Sequence, residues 1–309
     1  MRGMSDVTAL LGTDHPIVCA PMAGVAGGRL AHAVSAAGGF GMIGARGSSS
    51  PEWIAEQAAL AGAGGAPFGI GLMAWVPQLQ EQLDAVTALA GLSRPKLVSI
   101  SFGDLVEPVG RVHEVGMLAA CQVGNAADLE QAIEARADII VARGGEGGGH
   151  GRDEVATDEM LAMALAATER PVLAAGGIAT ADDVARALAA GAAGVWCGTP
   201  FLTCVEADNT PAARAAITTA TATRYARAHD VAQDLAWPRE FGGRAVATPF
   251  VERWAGDEDA MTAEAKAEHA AGRERGDTDY TPLYAGTGVT HLTAETDAAS
   301  VVSALVDRI

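Results

Sequence analysis

His150 is the residue whose surroundings most suggest chemistry. It lies in Val141-Ala-Arg-Gly-Gly-Glu-Gly-Gly-Gly-His150-Gly-Arg152, where six of twelve residues are glycine. The apolar run Asp138–Ala142 precedes this stretch, so it reads as a loop leaving a buried strand. Glycines let backbone N–H groups approach a ligand closely and give a neighbouring side chain little to pack against. Burial alone is therefore a poor reason for a histidine here. An imidazole can take a proton from an acidic carbon near neutral pH, which makes His150 a candidate general base. The six other histidines lie before a strand (His15), in helical segments (His32, His113) or in the less regular C-terminal part (His229, His269, His291), and we assign them structural or solvent roles.

Two further glycine pairs carry a second kind of chemistry. Gly176-Gly177 and Gly198-Thr199 each follow an apolar run, at matching places in consecutive units. Backbone N–H groups at such turns, with a threonine hydroxyl beside them, suit a phosphate, although each pair taken alone is equally well a tight turn. Pro21, Met22 and Ala23 form a turn that could lie against a flat ring, with core packing of the methionine as the other reading. Gln122 ends an apolar strand, so its amide needs a partner, either a heteroaromatic ring edge or neighbouring backbone. Arg46, Arg143 and Arg152 fall on the same kind of loop and together point to an anionic substrate or a reduced, anionic cofactor. There is no G-x-S-x-G, Walker loop, H-E-x-x-H or C-x-x-C, and no metal site is expected.

The elements that must position these residues alternate regularly. Short apolar runs at Ile17–Ala20, Gly41–Ile43, Phe68–Leu72, Leu97–Ser101, Met117–Cys121, Ile139–Ala142, Val172–Ala175 and Gly194–Cys197 read as strands. They show no polar alternation, as expected of parallel strands buried on both faces. Ala-rich segments of helical period separate them: Leu30–Ala37, Pro51–Ala61, Gln78–Ala90, Val109–Val115, Ala126–Ala135, Thr157–Thr168 and Thr180–Ala190. In the last of these Thr180 can cap the helix, Asp182 and Asp183 occupy its first turn, and Gly191 follows its end.

Eight such units predict a (β/α)₈ TIM barrel, with an open doubly wound sheet as the alternative. No G-x-G-x-x-G follows the first strand, which favours the barrel. Candidate site residues then gather at the C-terminal strand ends. Beyond the eighth strand, Thr210–Thr223 reads as a helix, Leu235–Trp254 as an irregular excursion, Ala260–Ala271 as a polar helix, Tyr280–His291 as a loop and Ser300–Arg308 as a closing helix. We expect a single domain with the barrel at about 15–225 and a C-terminal extension at about 226–309, forming a lid or side layer.

The 309 residues carry a net charge of −17, which argues against nucleic acid or an anionic membrane as partner. Any phosphate must then be held by local dipoles. No apolar run is long enough to span a bilayer, and Met1-Arg-Gly-Met4 lacks the apolar segment of a secretory signal. Three of the four cysteines (Cys19, Cys121, Cys197, Cys204) lie in predicted strands, as small hydrophobes. The cytoplasm is the expected compartment, and a homo-oligomer is left open.

The chain resembles the nitronate monooxygenases, FMN-dependent TIM barrels related to the FMN-dependent enoyl-acyl-carrier-protein reductases. The matching segments are Ala20-Pro-Met-Ala-Gly24, Ala36-Ala-Gly-Gly-Phe-Gly41, Pro67-Phe-Gly-Ile70, Gly145-Glu-Gly-Gly-Gly-His150, Pro171–Ile178, Gly191–Thr199 and Gly242-Gly-Arg-Ala245, with a weaker echo at Tyr284-Ala-Gly-Thr-Gly288. The resemblance implies FMN, with its phosphate on Gly176, Gly177, Gly198 and Thr199 and its ring near Pro21, Met22, Ala23 and Gln122; Gly148 and Gly149 are also expected to bind the cofactor. It implies His150 as the base that deprotonates a nitroalkane or positions a nitronate, with O₂ as co-substrate. Three positions depart from the pattern. Gly71 stands where many relatives have asparagine, Arg143 where they have Gln or Glu, and Gly147 where they have alanine. Arg143 and Arg46 are expected to meet the substrate. The alternatives are an FMN-dependent NAD(P)H reductase of quinones or enoyl thioesters and, in another class, a flavin-free phosphosugar lyase or isomerase.

Overall fold

A computed structural model describes residues 7–309; the expectation about Met1–Met4 lies outside the described residues. Eleven strands are present among these: β1 (Ile17–Cys19), β2 (Gly41–Gly44), β3 (Phe68–Met73), β4 (Leu97–Ser101), β5 (Leu118–Val123), β6 (Ile139–Arg143), β7 (Gly149–His150), β8 (Val172–Ala175), β9 (Gly194–Cys197), β10 (Thr223–Ala226) and β11 (Gly243–Val246). The eight strands expected from the sequence all form, and they pair in parallel in the order β1-β9-β8-β6-β5-β4-β3-β2. A parallel bridge between Val18 and Phe40 joins the two ends of that order, so the sheet closes into a barrel. The open-sheet alternative is thereby excluded.

Strand periodicity explains how the core divides. Successive side chains of a strand point to opposite faces. Along β6, Ile139 and Val141 belong to one apolar cluster with Phe40, Met42, Leu97 and Trp196, inside the ring. Ile140 and Ala142 belong to another, with Leu30, Val34 and Leu83 of the surrounding helices. Both faces are apolar, which is why the strands show no polar alternation. Val7 and Leu11 of the helix Val7–Leu11 join the interior cluster.

The seven expected outer helices form at Gly28–Ala36, Pro51–Gly62, Leu79–Thr87, Val106–Glu114, Ala126–Glu134, Thr157–Ala167 and Ala181–Ala189. Thr180 and Asp183 make a reciprocal capping box at the start of the last, worth about 1 kcal/mol. The closing helix is found at Ala298–Val306 and differs from the expected side layer. Val301, Val302 and Leu305 bury in the main core cluster, and the helix lies against Gly28–Ala36 and Ala181–Ala189. It is the eighth helix of the ring.

The segment between β9 and that helix is the excursion. It contains the helices Pro211–Thr218, Ala228–Ala232, Pro249–Trp254 and Ala263–Glu274. The helix expected at Thr210–Thr223 stops early because β10 begins at Thr223. β10, β11 and β7 form an antiparallel sheet, with Gly243 opposite both Ala226 and His150. The irregular stretch 235–254 thus contributes a strand and a helix. No helix among the described residues is long and apolar enough to cross a membrane.

Candidate active site at the barrel mouth

The small sheet fixes His150. As one of the two residues of β7 it pairs with β11, and the chain leaving β10 turns directly into Ala228–Ala232, which carries Asp230. His150 Nε2 lies 2.9 Å from Asp230 Oδ1 and 3.0 Å from Oδ2. The Asp230 side chain is 1% exposed and that of His150 10%. A carboxylate can only accept, so Nε2 carries the proton and Nδ1 is left as the in-plane acceptor. Tyr284 donates from its hydroxyl to the same Asp230 oxygen at 3.4 Å. Burial, with Asp230 beside it, pushes the Tyr284 phenol well above its usual range, so it stays a donor. One face of the imidazole is covered by the Trp237 indole, 3.8 Å between centroids and 5° from parallel. Asp230 and Trp237 together fix the ring in rotation and tilt.

Behind Asp230, His229 Nδ1 and His269 Nε2 are 3.1 Å apart and both rings are buried. Burial pulls His229 down to about 3 and His269 to about 4. Both are neutral at physiological pH, in keeping with the structural role assigned to them.

Arg143 does not reach outward as a substrate contact would. It is 3% exposed, and its guanidinium donates to the carbonyls of Gly147 (2.7 Å), Arg152 (2.8 Å) and Gly149 (3.1 Å). Burial lowers its pKa only to about 10, so it remains charged and staples the glycine loop from beneath. This explains the loop's composition. A Cβ on Gly147 would come within 2.8 Å of Arg143 Nε, and one on Gly151 within 2.4 Å of Nη1. Arg143 and Gly147, two of the departures from the family pattern, are therefore in contact, and the arginine leaves no room for a Cβ at 147. At the third, a Cβ on Gly71 would meet the Pro21 ring at 2.5 Å.

The glycine pairs converge on one wall. Gly176 and Gly177 adopt φ of 113° and 69°, which a side chain would disfavour. The backbone N–H groups of Gly176, Gly177, Gly198 and Thr199 have no hydrogen-bond partner among the described residues. Thr199 Oγ1 accepts from the Gly286 N–H at 2.9 Å, which leaves its own proton free to donate. A Cβ on Gly286 would meet Gly148 N at 2.9 Å, and one on Gly198 would meet Met22 Sδ at 3.1 Å. Met22, Gly148, Gly198, Thr199 and Gly286 thus lie together. Pro21 is tied to them through Met22, and Ala23 is exposed beside them.

A pocket holds Gln122 with Phe102, Arg143, Arg152 and Phe241. The Gln122 side-chain amide makes no hydrogen bond among the described residues. Gly149 is the partner of Arg244 across the small sheet. Arg152 is occupied by Asp128 through Nε at 2.8 Å and Nη2 at 2.9 Å, whereas Arg46 is exposed, its guanidinium against Gly24.

Asp230, Trp237, Tyr284 and Gly286 were not singled out by the sequence reading. The Tyr284–Gly288 echo was the one signal available for the last two.

A closed parallel barrel with a buried acid–base pair and an unpartnered N–H cradle at one mouth is an enzyme architecture. A family model described as nitronate monooxygenase matches residues 4–308, and the chain belongs to that family; it is an oxidoreductase. A nitronate monooxygenase of Pseudomonas aeruginosa is 30% identical over an alignment covering 98% of both chains. A hydroxy-methyl-oxo-octahydro-indene-carboxyl-CoA dehydrogenase of Mycobacterium tuberculosis is 32% identical over 65% of this chain. The chain spans only 56% of that relative's length. Among solved structures, FabK from Thermotoga maritima superposes with a TM-score of 0.84 at 26% identity, over 97% of this chain and 94% of that one. A nitroalkane oxidase from Streptomyces ansochromogenes gives 0.83 at 26% identity, over 98% and 97%. Membership of an oxidoreductase family sets aside the phosphosugar lyase or isomerase.

Proposed function

We propose that the protein is an FMN-dependent nitronate monooxygenase in which His150 is the general base. The observation that carries this reading is the pairing of an oriented imidazole with an N–H cradle. Unpaired backbone N–H groups at a half-buried site call for an acceptor. Four of them beside a free threonine hydroxyl fit a phosphate in a protein whose net charge offers no general attraction for one. Gly176, Gly177, Gly198 and Thr199 would hold the FMN phosphate. Pro21, Met22, Ala23, Gly148 and Gly149 would border the ring, and the unpaired Gln122 amide would face its edge. The bound flavin would supply electron acceptance from the nitronate and reaction with O₂.

The chain's own residues do the proton chemistry. His150 Nδ1 takes the α-proton of a nitroalkane, and Asp230 accepts the hydrogen bond from Nε2–H of the resulting imidazolium. A substrate that arrives as the nitronate needs no such transfer and meets His150 only as a positioning group. Trp237 covers one face of the ring, and Phe102 packs edge-on against Trp237. Arg143 acts through the loop it staples and is a positioning residue, whereas Arg46 remains the exposed cation proposed to meet an incoming anion.

The test is anaerobic titration of the FMN-loaded protein with ethyl nitronate. The flavin band should bleach and return on admitting O₂; an inert flavin refutes the reading. The NAD(P)H reductase alternative draws on the likeness to FabK, but two of the arginines that pointed to an anionic substrate or cofactor are occupied, Arg143 by carbonyls and Arg152 by Asp128. Rapid bleaching by NADPH would reinstate it.

A further inference from the structure

We propose that the substrate carries an aromatic substituent bearing an oxygen acceptor, and that Trp75, Phe102, Trp237 and Phe241 form the wall that selects it. This rests on the nitronate reading above and goes beyond it in naming the substrate class. The four rings come from three separate segments: the ends of β3 and β4, and the stretch between Asp234 and β11. Trp75 and Trp237 lie 4.7 Å apart, Phe102 meets Trp237 edge-on at 5.4 Å, and Phe102 meets Phe241 at 5.3 Å. Trp237 also stacks on His150, and Phe102 and Phe241 line the pocket that holds Gln122, so the wall runs from the base to that pocket.

Two features of this wall are costly and otherwise unexplained. Phe102 has φ of 70°, a left-handed conformation that a bulky residue avoids at a cost of about 1–3 kcal/mol. That backbone carries its ring onto both Trp237 and Phe241. Trp75 Nε1 is buried without a hydrogen-bond partner, a loss of about 1–3 kcal/mol unless something supplies an acceptor. A wall awaiting a ligand uses both, the first to aim a ring and the second to bind an acceptor. The charges nearby are neutralised or covered: Arg152 lies 4.8 Å over Phe241 and is paired with Asp128. The wall therefore suits an uncharged aromatic group, which gains edge-to-face and offset contacts that a short alkyl chain cannot make.

The experiment compares the nitronates of nitroethane, phenylnitromethane and 4-methoxyphenylnitromethane with the FMN-loaded enzyme. The phenyl compound should exceed the ethyl compound in kcat/KM by about tenfold, and the methoxy compound should exceed the phenyl. Phe102→Leu and Trp237→Leu should bring the phenyl-to-ethyl ratio towards one. Trp237 also supports His150, but that effect is common to both substrates and cancels in the ratio. Trp75→Phe keeps a ring but removes the N–H and should abolish the methoxy-over-phenyl advantage, whatever it does to the rates on the phenyl and ethyl compounds. An equal phenyl-to-ethyl ratio in wild type, or a ratio untouched by Phe102→Leu, overturns the aromatic wall. A methoxy advantage that survives Trp75→Phe overturns the role of its N–H.

Binding supplies an independent arm. His150→Ala holoenzyme should bind neutral phenylnitromethane at least about tenfold more tightly than nitroethane by tryptophan fluorescence. Equal affinities refute the wall. If wild type oxidises none of the nitronates, the functional reading falls and this binding comparison alone decides the wall.

Discussion

Replacing Asp230 by asparagine separates proton transfer from everything else the site does. His150 Nε2 sits almost midway between the two carboxylate oxygens, at 2.9 and 3.0 Å. In Asp230→Asn one of those positions becomes an NH₂ group, which repels the Nε2 proton and favours the tautomer protonated at Nδ1. The base then points its lone pair at residue 230 and its proton at the substrate. A hydrogen bond between charged partners contributes about 1.5–3 kcal/mol, so kcat/KM for neutral nitroethane should fall about 10- to 100-fold. Ethyl nitronate is already deprotonated and should lose no more than about threefold, since only a positioning hydrogen bond changes. Oxygen consumption at matched flavin occupancy measures both. An equal loss on the two substrates would show that Asp230 serves the fold or the cofactor, and no loss on either would show that His150 is not the base. Tyr284→Phe supplies the graded control, because it removes a weaker 3.4 Å bond to the same carboxylate and should follow the same pattern at smaller size.

Further outcomes follow from the same geometry. His150→Ala should retain the yellow FMN spectrum yet lose turnover of neutral nitroalkanes; retained activity would place the base elsewhere. Gly147→Ala should destabilise the protein by about 1–3 kcal/mol in urea unfolding, because the new methyl meets Arg143. In an Arg143→Gln background the same change should cost clearly less, and equal costs would break the proposed coupling. His229 and His269 have folded pKa values near 3 and 4, below the ordinary histidine value. Their contribution to stability is complete above about pH 6.5 and is lost as pH falls towards those values. Melting temperature should therefore drop between pH 6.5 and 4, and His229→Phe should flatten that slope. Burial pushes the thiols of Cys121 and Cys204 up to about 12, so iodoacetamide at pH 8 should label neither until the chain unfolds.

The barrel was legible because its signals are local. Each strand is a short apolar run bounded by glycine or proline, and burial on both faces removes the alternation that would mark an open antiparallel sheet. The turns Gly176-Gly177 and Gly198-Thr199 could be placed at the C-terminal strand ends for the same reason, and they follow β8 and β9 there. Asp230 was not, because it lies 80 residues from His150 and meets it only through pairings of β10, β11 and a two-residue strand. None of those three strands has an apolar run to announce it; β10 reads Thr-Arg-Tyr-Ala. Trp237 was hidden likewise in a stretch without periodicity. Arg143 was misread in direction. Its position at a strand end suggested a side chain facing substrate, but the carbonyls of a glycine loop compete for a guanidinium, and with no side chains in the way they win.

That competition bears on how the site is made rigid. A loop with six glycines should pay a large entropic cost on ordering, and a base mounted on it would wander. Here the barrel end of the loop is clamped by a buried arginine and its far end by two residues of sheet pairing. The imidazole is then held by Asp230 on one edge and Trp237 on one face. Every one of the outer restraints comes from the excursion between β9 and the eighth helix, while the N–H cradle comes mainly from the barrel. On the function proposed above, the phosphate cradle and the base are thus held by different parts of the chain. A change in the 223–246 sheet should alter deprotonation without releasing FMN, whereas a side chain introduced at Gly177, with its φ of 69°, should do the reverse. A Gly177→Val protein that keeps wild-type FMN affinity would refute that division.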